Sequence, residues 1–293
     1  MSDVDARTWV AALPDELTRQ RILLQGLLDV MEGDPRWCRL EFGCSVAEGR
    51  GDALSDLDLA LGVAKEVWPE ALNDLARLLT SLGEVVDSLR HRISGMGDRP
   101  HQRIFVQYVN GVQLDLVAVP AHLPKGTQPE NIVLYDPDRL RVERWDASVL
   151  QAAAAMVREW AFLGWTALGD LAKYLRRGSL WEALERLHEA RAQVWRLWAV
   201  SQGLQYPIHG VTTVLDHPEI GLPPGIEATV AGLDRAGLLR AAVVCADLLE
   251  GVAASAALTV GSDIPIAMGR FVRQQLANGG TARKRGDVSE CDR

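Results

Sequence analysis

Residues 42–61, FGCSVAEGRGDALSDLDLAL, place a glycine-rich turn (Gly43, Gly49, Gly51) ahead of a run in which two aspartates alternate with leucines. Successive side chains of a strand point to opposite faces, so Asp56 and Asp58 share one face while Leu57, Leu59 and Leu61 occupy the other. The leucines can enter a core and leave both carboxylates outside it. Two anions held this close raise each other's proton affinity unless a cation lies between them, and a divalent metal is the natural remedy. A bare pair of this kind also fits solvated residues on a half-exposed strand; the turn in front is what favours the metal.

Outward from this stretch the pattern is mixed α and β. Upstream, DELTRQRILLQGLLDVM (15–31) has the spacing of an amphipathic helix stopped by Gly33-Asp34-Pro35, and WCRLEF (37–42) reads as a strand. Downstream, DLDLALGV (56–63) is a second strand and WPEALNDLARLLTSLG (68–83) a helix closed by Gly83. RIFVQYV and VQLDLVAV flank Asn110-Gly111, the dipeptide that most favours a type I′ hairpin. The intervening HRISGMGDRPHQR (91–103) reads as a loop, and its arginines make it a candidate for phosphate contact; His91 and His101 are loop residues on this reading.

The hairpin carries a third acid. Asp115 shares a face with Gln113 and Val117, and an exposed acid on a hairpin strand is the plain alternative. If that strand lies beside the DLD strand, three carboxylates converge as an oxygen-ligand set suited to Mg²⁺. Gly43, Cys44 and Ser45 supply a turn whose N–H groups and hydroxyl can cradle a triphosphate, although Ser45 also suits an ordinary turn. A phosphate loop with metal carboxylates points to phosphoryl chemistry rather than acyl or hydride transfer.

The order G-x-S-x-A-x-G from Gly43 to Gly49, then S-D-L-D-L (55–59), then L-D-L-V (114–117), resembles the DNA polymerase β-like nucleotidyltransferase superfamily, and most nearly its small bacterial members akin to aminoglycoside nucleotidyltransferases. Cys44 stands where that family's glycine precedes the serine. The resemblance covers about residues 37–145, including LYDPD (134–138), and extends more weakly to KYLRRGSLWEA (173–183) and Arg191. It implies that Asp56 and Asp58 bind Mg²⁺, that the turn binds nucleotide phosphates, and that Asp115 aids metal binding or serves as base toward the acceptor hydroxyl.

From about residue 147 the β alternation gives way to Ala, Leu, Trp, Glu and Arg at helical intervals, which predicts a second, all-α domain. The expected organisation is α+β: a mixed-sheet catalytic domain over 1–146, a helical bundle over 147–279 and a disordered tail over 280–293. Gly178, Ser179 and Glu182 form a C′ glycine followed by a capping box between two antiparallel helices, with further helices over 226–260 and 264–277. Most of the tryptophans between 160 and 198 belong in the core. Lys173, Arg176 and Arg177 sit near a helix C-terminus, where the macrodipole alone accounts for them; Lys173 as a phosphate ligand is the alternative. Glu185 and Glu189, one turn apart, form either a solvated face or an acidic wall for a cationic acceptor.

The balance of 31 Lys and Arg against 39 Asp and Glu, net charge −8, argues against nucleic acid or an anionic membrane as partner. Four cysteines without ligand spacing argue against a disulfide framework or structural zinc, and the N-terminus lacks the pattern of a secretion signal. With no uninterrupted apolar span of roughly 18 residues, the expectation is a cytoplasmic protein. The leading expectation is transfer of a nucleoside monophosphate, first of all AMP from ATP with about two Mg²⁺ ions, to a hydroxyl of a small acceptor, a cationic aminoglycoside-like compound being the candidate, with release of pyrophosphate. The alternative is a nucleotidyltransferase-like binding or antitoxin-type module, or an enzyme that modifies protein.

Overall fold

The structure is a computed structural model that describes residues 5–92, 101–121, 131–138 and 146–278. The fold is α+β, and the chain divides into two compact units, Met1–Asp146 and Ala147–Arg293. The expected tail and the middle of the 91–103 loop lie outside the described residues.

The first unit runs α1 (Ala6–Ala11), α2 (Thr18–Gly33), β1 (Trp37–Gly43), α3 (Cys44–Ala47), β2 (Leu57–Val63), α4 (Trp68–Ser81), β3 (Val85–Arg92), β4 (Gln102–Tyr108), β5 (Gln113–Pro120) and β6 (Ile132–Tyr135). The six strands form one sheet in the order β3-β4-β5-β2-β1-β6. Among the described residues only the central β2–β5 pair is parallel, which requires a long crossover; the chain makes it through α4, β3 and β4.

Alternation decides what each face holds. Leu57, Leu59 and Leu61 of β2 and Leu114 and Leu116 of β5 are buried in one apolar cluster with Leu24 and Leu27 of α2 and Leu75 and Leu79 of α4. Each such leucine contributes roughly 1.5–3 kcal/mol relative to exposure. Tyr108 joins this core, and its hydroxyl is satisfied by donating to the Leu79 carbonyl at 3.0 Å. The opposite parity of the same strands carries Asp58, Arg103, Phe105 and Asp115.

Two local expectations change. The β4–β5 hairpin forms, but not through a type I′ turn, which needs positive φ at both central residues. Among Val109, Asn110 and Gly111 only Gly111 has positive φ, +92°. The Gly111 N–H bonds to the Tyr108 carbonyl at 3.0 Å, and the Tyr108 N–H to the Val112 carbonyl at 2.9 Å. The loop therefore has three residues and ends on a left-handed glycine, the next commonest hairpin form. Secondly, the 91–103 segment is not loop at its ends: His91 and Arg92 close β3, and Gln102 and Arg103 open β4.

The second unit contains α5 (Ala154–Arg177), α6 (Leu180–Ser201), α7 (Val211–Leu215), α8 (Arg235–Val260) and α9 (Ile266–Asn278). Its own core joins Leu168, Leu171, Leu187, Val194, Leu249 and Val272. Gly178 ends α5 in the left-handed region at φ 77°. The Ser179 side chain accepts no backbone hydrogen bond at the head of α6; its hydroxyl donates to the Glu182 carboxylate instead, so the expected capping box, which pairs each side chain with a backbone N–H, does not form. Trp160 and Trp165 are buried, whereas Trp181 is 73% exposed. Among the described residues one helix, α8, is long and apolar enough to cross a membrane by length and composition, with mean hydropathy 1.7 over an 18-residue window. Asp247 and Glu250 interrupt its apolar run. Leu238, Ala242, Cys245, Ala246 and Leu249 of α8 are buried in the unit's core, as suits the central helix of a bundle.

Candidate active site on the open face of the sheet

Asp58 and Asp115 are direct register partners on the parallel β2–β5 pair. Asp58 in turn faces Gly43 on β1, and Asp115 faces Phe105 on β4. One row across the sheet thus carries the end of the glycine turn, two carboxylates and an aromatic ring. Asp56 is exposed and lies just ahead of β2.

The turn is built for close approach. A Cβ on Gly51 would come within 2.5 Å of Val46 Cγ2 and 2.9 Å of Val46 Cα, so only glycine lets the return limb pass α3. Cys44 has φ +58°, a left-handed conformation that glycine takes without strain. Ser45 Oγ reaches Ser55 Oγ at 3.4 Å, and Ser55 Oγ accepts from the Asp52 N–H at 2.9 Å. From α2, Gln20 Nε2 donates to the Ser55 carbonyl at 2.9 Å. Arg19 donates to the Ala53 carbonyl at 3.1 Å and to the Asn110 carbonyl at 2.6 Å. The segment that feeds Asp56 into the sheet is therefore clamped from below.

Burial is the main cause that pushes the Asp58 carboxyl up to about 6; a hydrogen bond from the Cys44 thiol and the charge of Arg103 oppose it, while Asp56 and Asp115 add to it. Cys44 is exposed as a residue, yet its thiol turns toward Asp58. Desolvation and the charges of Asp58, Asp56 and Glu48 push its pKa far above the usual thiol range, so it stays a protonated donor.

Asp115 is only 9% exposed, and its partner is Arg103. Arg103 Nε lies 2.8 Å from Oδ1 and 3.1 Å from Oδ2, and Nη2 also donates to Oδ2. The guanidinium sits 4.5 Å from the centre of the Phe105 ring, and Phe105 stacks on His91 at 5.7 Å. A second polar group lies on β1, where buried Arg39 joins Glu41 at 2.8 Å and Asp136 at 2.5 Å. Asn131 donates to the same Glu41 at 3.3 Å. Asp136 belongs to the LYDPD stretch, whose first acid is thereby tied to the strand that leads into the turn.

Oxygen donors from Asp56 and Asp58, with a raised proton affinity at Asp58, fit a hard divalent cation by chemistry. Among the described residues, however, no group of three or more His, Cys, Asp or Glu side chains is gathered closely enough to hold a metal ion. The sheet aligns Asp115 with Asp58, and Arg103 takes both of its oxygens. Lys173 lies in the second unit, on α5, where it pairs with Asp170 at 2.5 Å and lies 4.7 Å from the centre of the Tyr174 ring. Glu189 pairs with Arg186 at 2.5 Å, leaving exposed Glu185 as the open member of the expected acidic wall.

Sequence reasoning missed Arg39 and Glu41, and it had Arg103 only as one arginine of the 91–103 segment, not as the partner of Asp115. The signal was present: in WCRLEF the parity of Arg39 and Glu41 opposes that of Leu40 and Phe42, and Arg103 shares parity with Phe105 in the run it opens.

No protein-family model matches the chain. No curated protein matches it either. Among solved structures, the chain aligns with an aminoglycoside 6-adenyltransferase from Bacillus subtilis at 15% identity, over 89% of this chain and 98% of that one. The TM-score is 0.38, too low to carry an argument about chemistry.

Proposed function

We propose that the protein is a nucleotidyltransferase that moves a nucleoside monophosphate, first of all AMP from ATP, onto a hydroxyl of a small acceptor. A bond forms between the acceptor oxygen and the α-phosphorus, the bond to the bridging oxygen breaks, and pyrophosphate leaves. The single observation that carries the reading is the row Gly43–Asp58–Asp115, which puts a close-approach turn beside two carboxylates on one open sheet face. The motif resemblance points the same way.

Asp56 and Asp58 would hold Mg²⁺, which when bound neutralises charge on the phosphoryl oxygens. Gly43, Cys44 and Ser45 would orient the phosphates. Asp115, once free of Arg103, would accept the proton of the acceptor hydroxyl. The net charge of −8 supports a cationic acceptor such as an aminoglycoside.

A pyrophosphate-release assay with ATP, Mg²⁺ and a panel of aminoglycosides and neutral polyols tests this. Turnover is expected with a cationic member of the panel, and Asp58→Asn is expected to lower it by about 10²–10⁴-fold. Equal turnover in the variant would sink the assignment, and turnover confined to neutral acceptors would remove the cationic preference.

One observation favours a second reading, that of a binding or antitoxin-type module. The bidentate Arg103 already neutralises Asp115, as in a site that has lost its metal. Retained divalent-cation binding that depends on Asp58 argues against it.

A further inference from the structure

Arg103 is held in an unusual way for a residue at the head of a strand. Its fork covers both oxygens of a nearly buried carboxylate, its Cζ lies over the Phe105 ring, and Phe105 stacks on His91. His91 is also the register partner of Arg103 across β3 and β4. The two ends of the ion pair differ in freedom: the Asp115 side chain is 11% exposed, that of Arg103 39%. The carboxylate is fixed by the sheet, whereas the guanidinium has room to leave.

Asp115 cannot leave its charge unpaired at that depth without a large cost, so whatever takes Arg103 away must bring a cation. The charges facing Asp115 are Arg103 from β4 and Asp58 from β2, and Asp58 in turn feels Asp56 on the approach to that strand. The same guanidinium also lowers the proton affinity of Asp58. Arg103 thus serves the whole acidic row as its internal counter-charge.

We infer that Arg103 is a positioning residue that holds Asp115 in reserve and exchanges it for a nucleotide phosphate when a divalent cation enters the acidic row. The exchange conserves charge pairing. The cation replaces Arg103 at the carboxylate, and the phosphate offers Arg103 an equally good bidentate partner. The inference rests on the nucleotidyltransferase reading and names a group that switches that site from closed to competent.

The exchange predicts opposite effects on two ligands. Arg103→Gln frees Asp115, so Mn²⁺ alone should bind about tenfold more tightly than to the wild type in calorimetric titration. In saturating Mg²⁺ a non-hydrolysable ATP analogue should bind about tenfold more weakly, because its phosphate has lost a partner. Arg103→Lys keeps the charge without the fork and should shift both affinities in the same directions by less; it also serves if the glutamine variant melts. A merely structural arginine would weaken both ligands together, and that result, or an unchanged Mn²⁺ affinity, overturns the inference. Asp58→Asn separates the layers. If the wild type binds Mn²⁺, Asp58→Asn abolishes binding and Arg103→Gln leaves it unchanged, the inference alone fails. If neither wild type nor Arg103→Gln binds Mn²⁺, or if Asp58→Asn binds as the wild type does, the nucleotidyltransferase reading fails and the inference with it.

Discussion

Asp58 stores a conflict between stability and chemistry. Its folded-state pKa, raised by burial and like charge to about 6, well above the ordinary carboxylate range, means that the folded chain binds more protons than the unfolded one between the two. Stability of the metal-free protein therefore falls as pH rises through that window, and the full penalty is present above it. Asp58→Asn should raise metal-free stability at pH 7.5 by about 1–3 kcal/mol and give no gain near pH 4. Urea unfolding in chelator at the two pH values checks this, and a loss at both would mean that Asp58 is a structural residue. Cys44 carries strain of a different kind. In the left-handed region its Cβ costs roughly 1–2 kcal/mol, part of which glycine would return as chain entropy. Cys44→Gly should hold stability within about 1 kcal/mol of the wild type, while the β-branched Cys44→Val should lose about 1–2 kcal/mol in the same assay. The aspartates were legible in the sequence because alternation alone assigns their face. Arg103 was not, because its role depends on the β4–β5 register that sets Phe105, two residues along, opposite Asp115.

Among the elements, the hairpin shows what local sequence can and cannot fix. Asn110-Gly111 marks the reversal, and the flanking runs mark the strands. The turn type is set by Val109, a branched residue drawn into the loop, and by Arg19 of α2, which pulls the Asn110 carbonyl at 2.6 Å. Gly111 alone then takes positive φ. Gly111→Ala should lower the thermal midpoint by the equivalent of about 1 kcal/mol or more, and its Cβ would press on Arg19 Nη1 at 3.2 Å. An unchanged melt would mean that the loop has a second conformation of equal energy. The strand order was beyond the sequence: nothing local tells β2 to pair with β5 across more than fifty residues, a choice made by matching leucine faces over the core.

For the molecule as a whole, the change of character near residue 147 in the sequence coincides with the division at Asp146 and Ala147. Each side buries its own cluster, leucines of sheet and helix before it and helix-borne leucines, alanines and tryptophans after it. A fragment of residues 1–146 should fold alone and keep any Mn²⁺ binding of the full chain, while 147–293 should give a helical spectrum with a cooperative melt. Fragments that stay unfolded apart and regain structure only on mixing would show that neither core suffices. The long apolar α8 was less legible, because its composition suits a bilayer as well as a bundle. Only burial of Leu249 and its neighbours against other helices tells the two apart.

Arg19 ties the length of the hairpin turn to the segment that leads into β2. One guanidinium grips both the Ala53 carbonyl, ahead of Asp56, and the Asn110 carbonyl at the hairpin tip. Surface hairpins ordinarily tolerate inserted residues at small cost. This one acts as a ruler between the two chain segments that deliver Asp58 and Asp115. A residue gained or lost at 109–111 would break the grip at one end, so the length of this exposed turn is tied by geometry to the acids it helps to align.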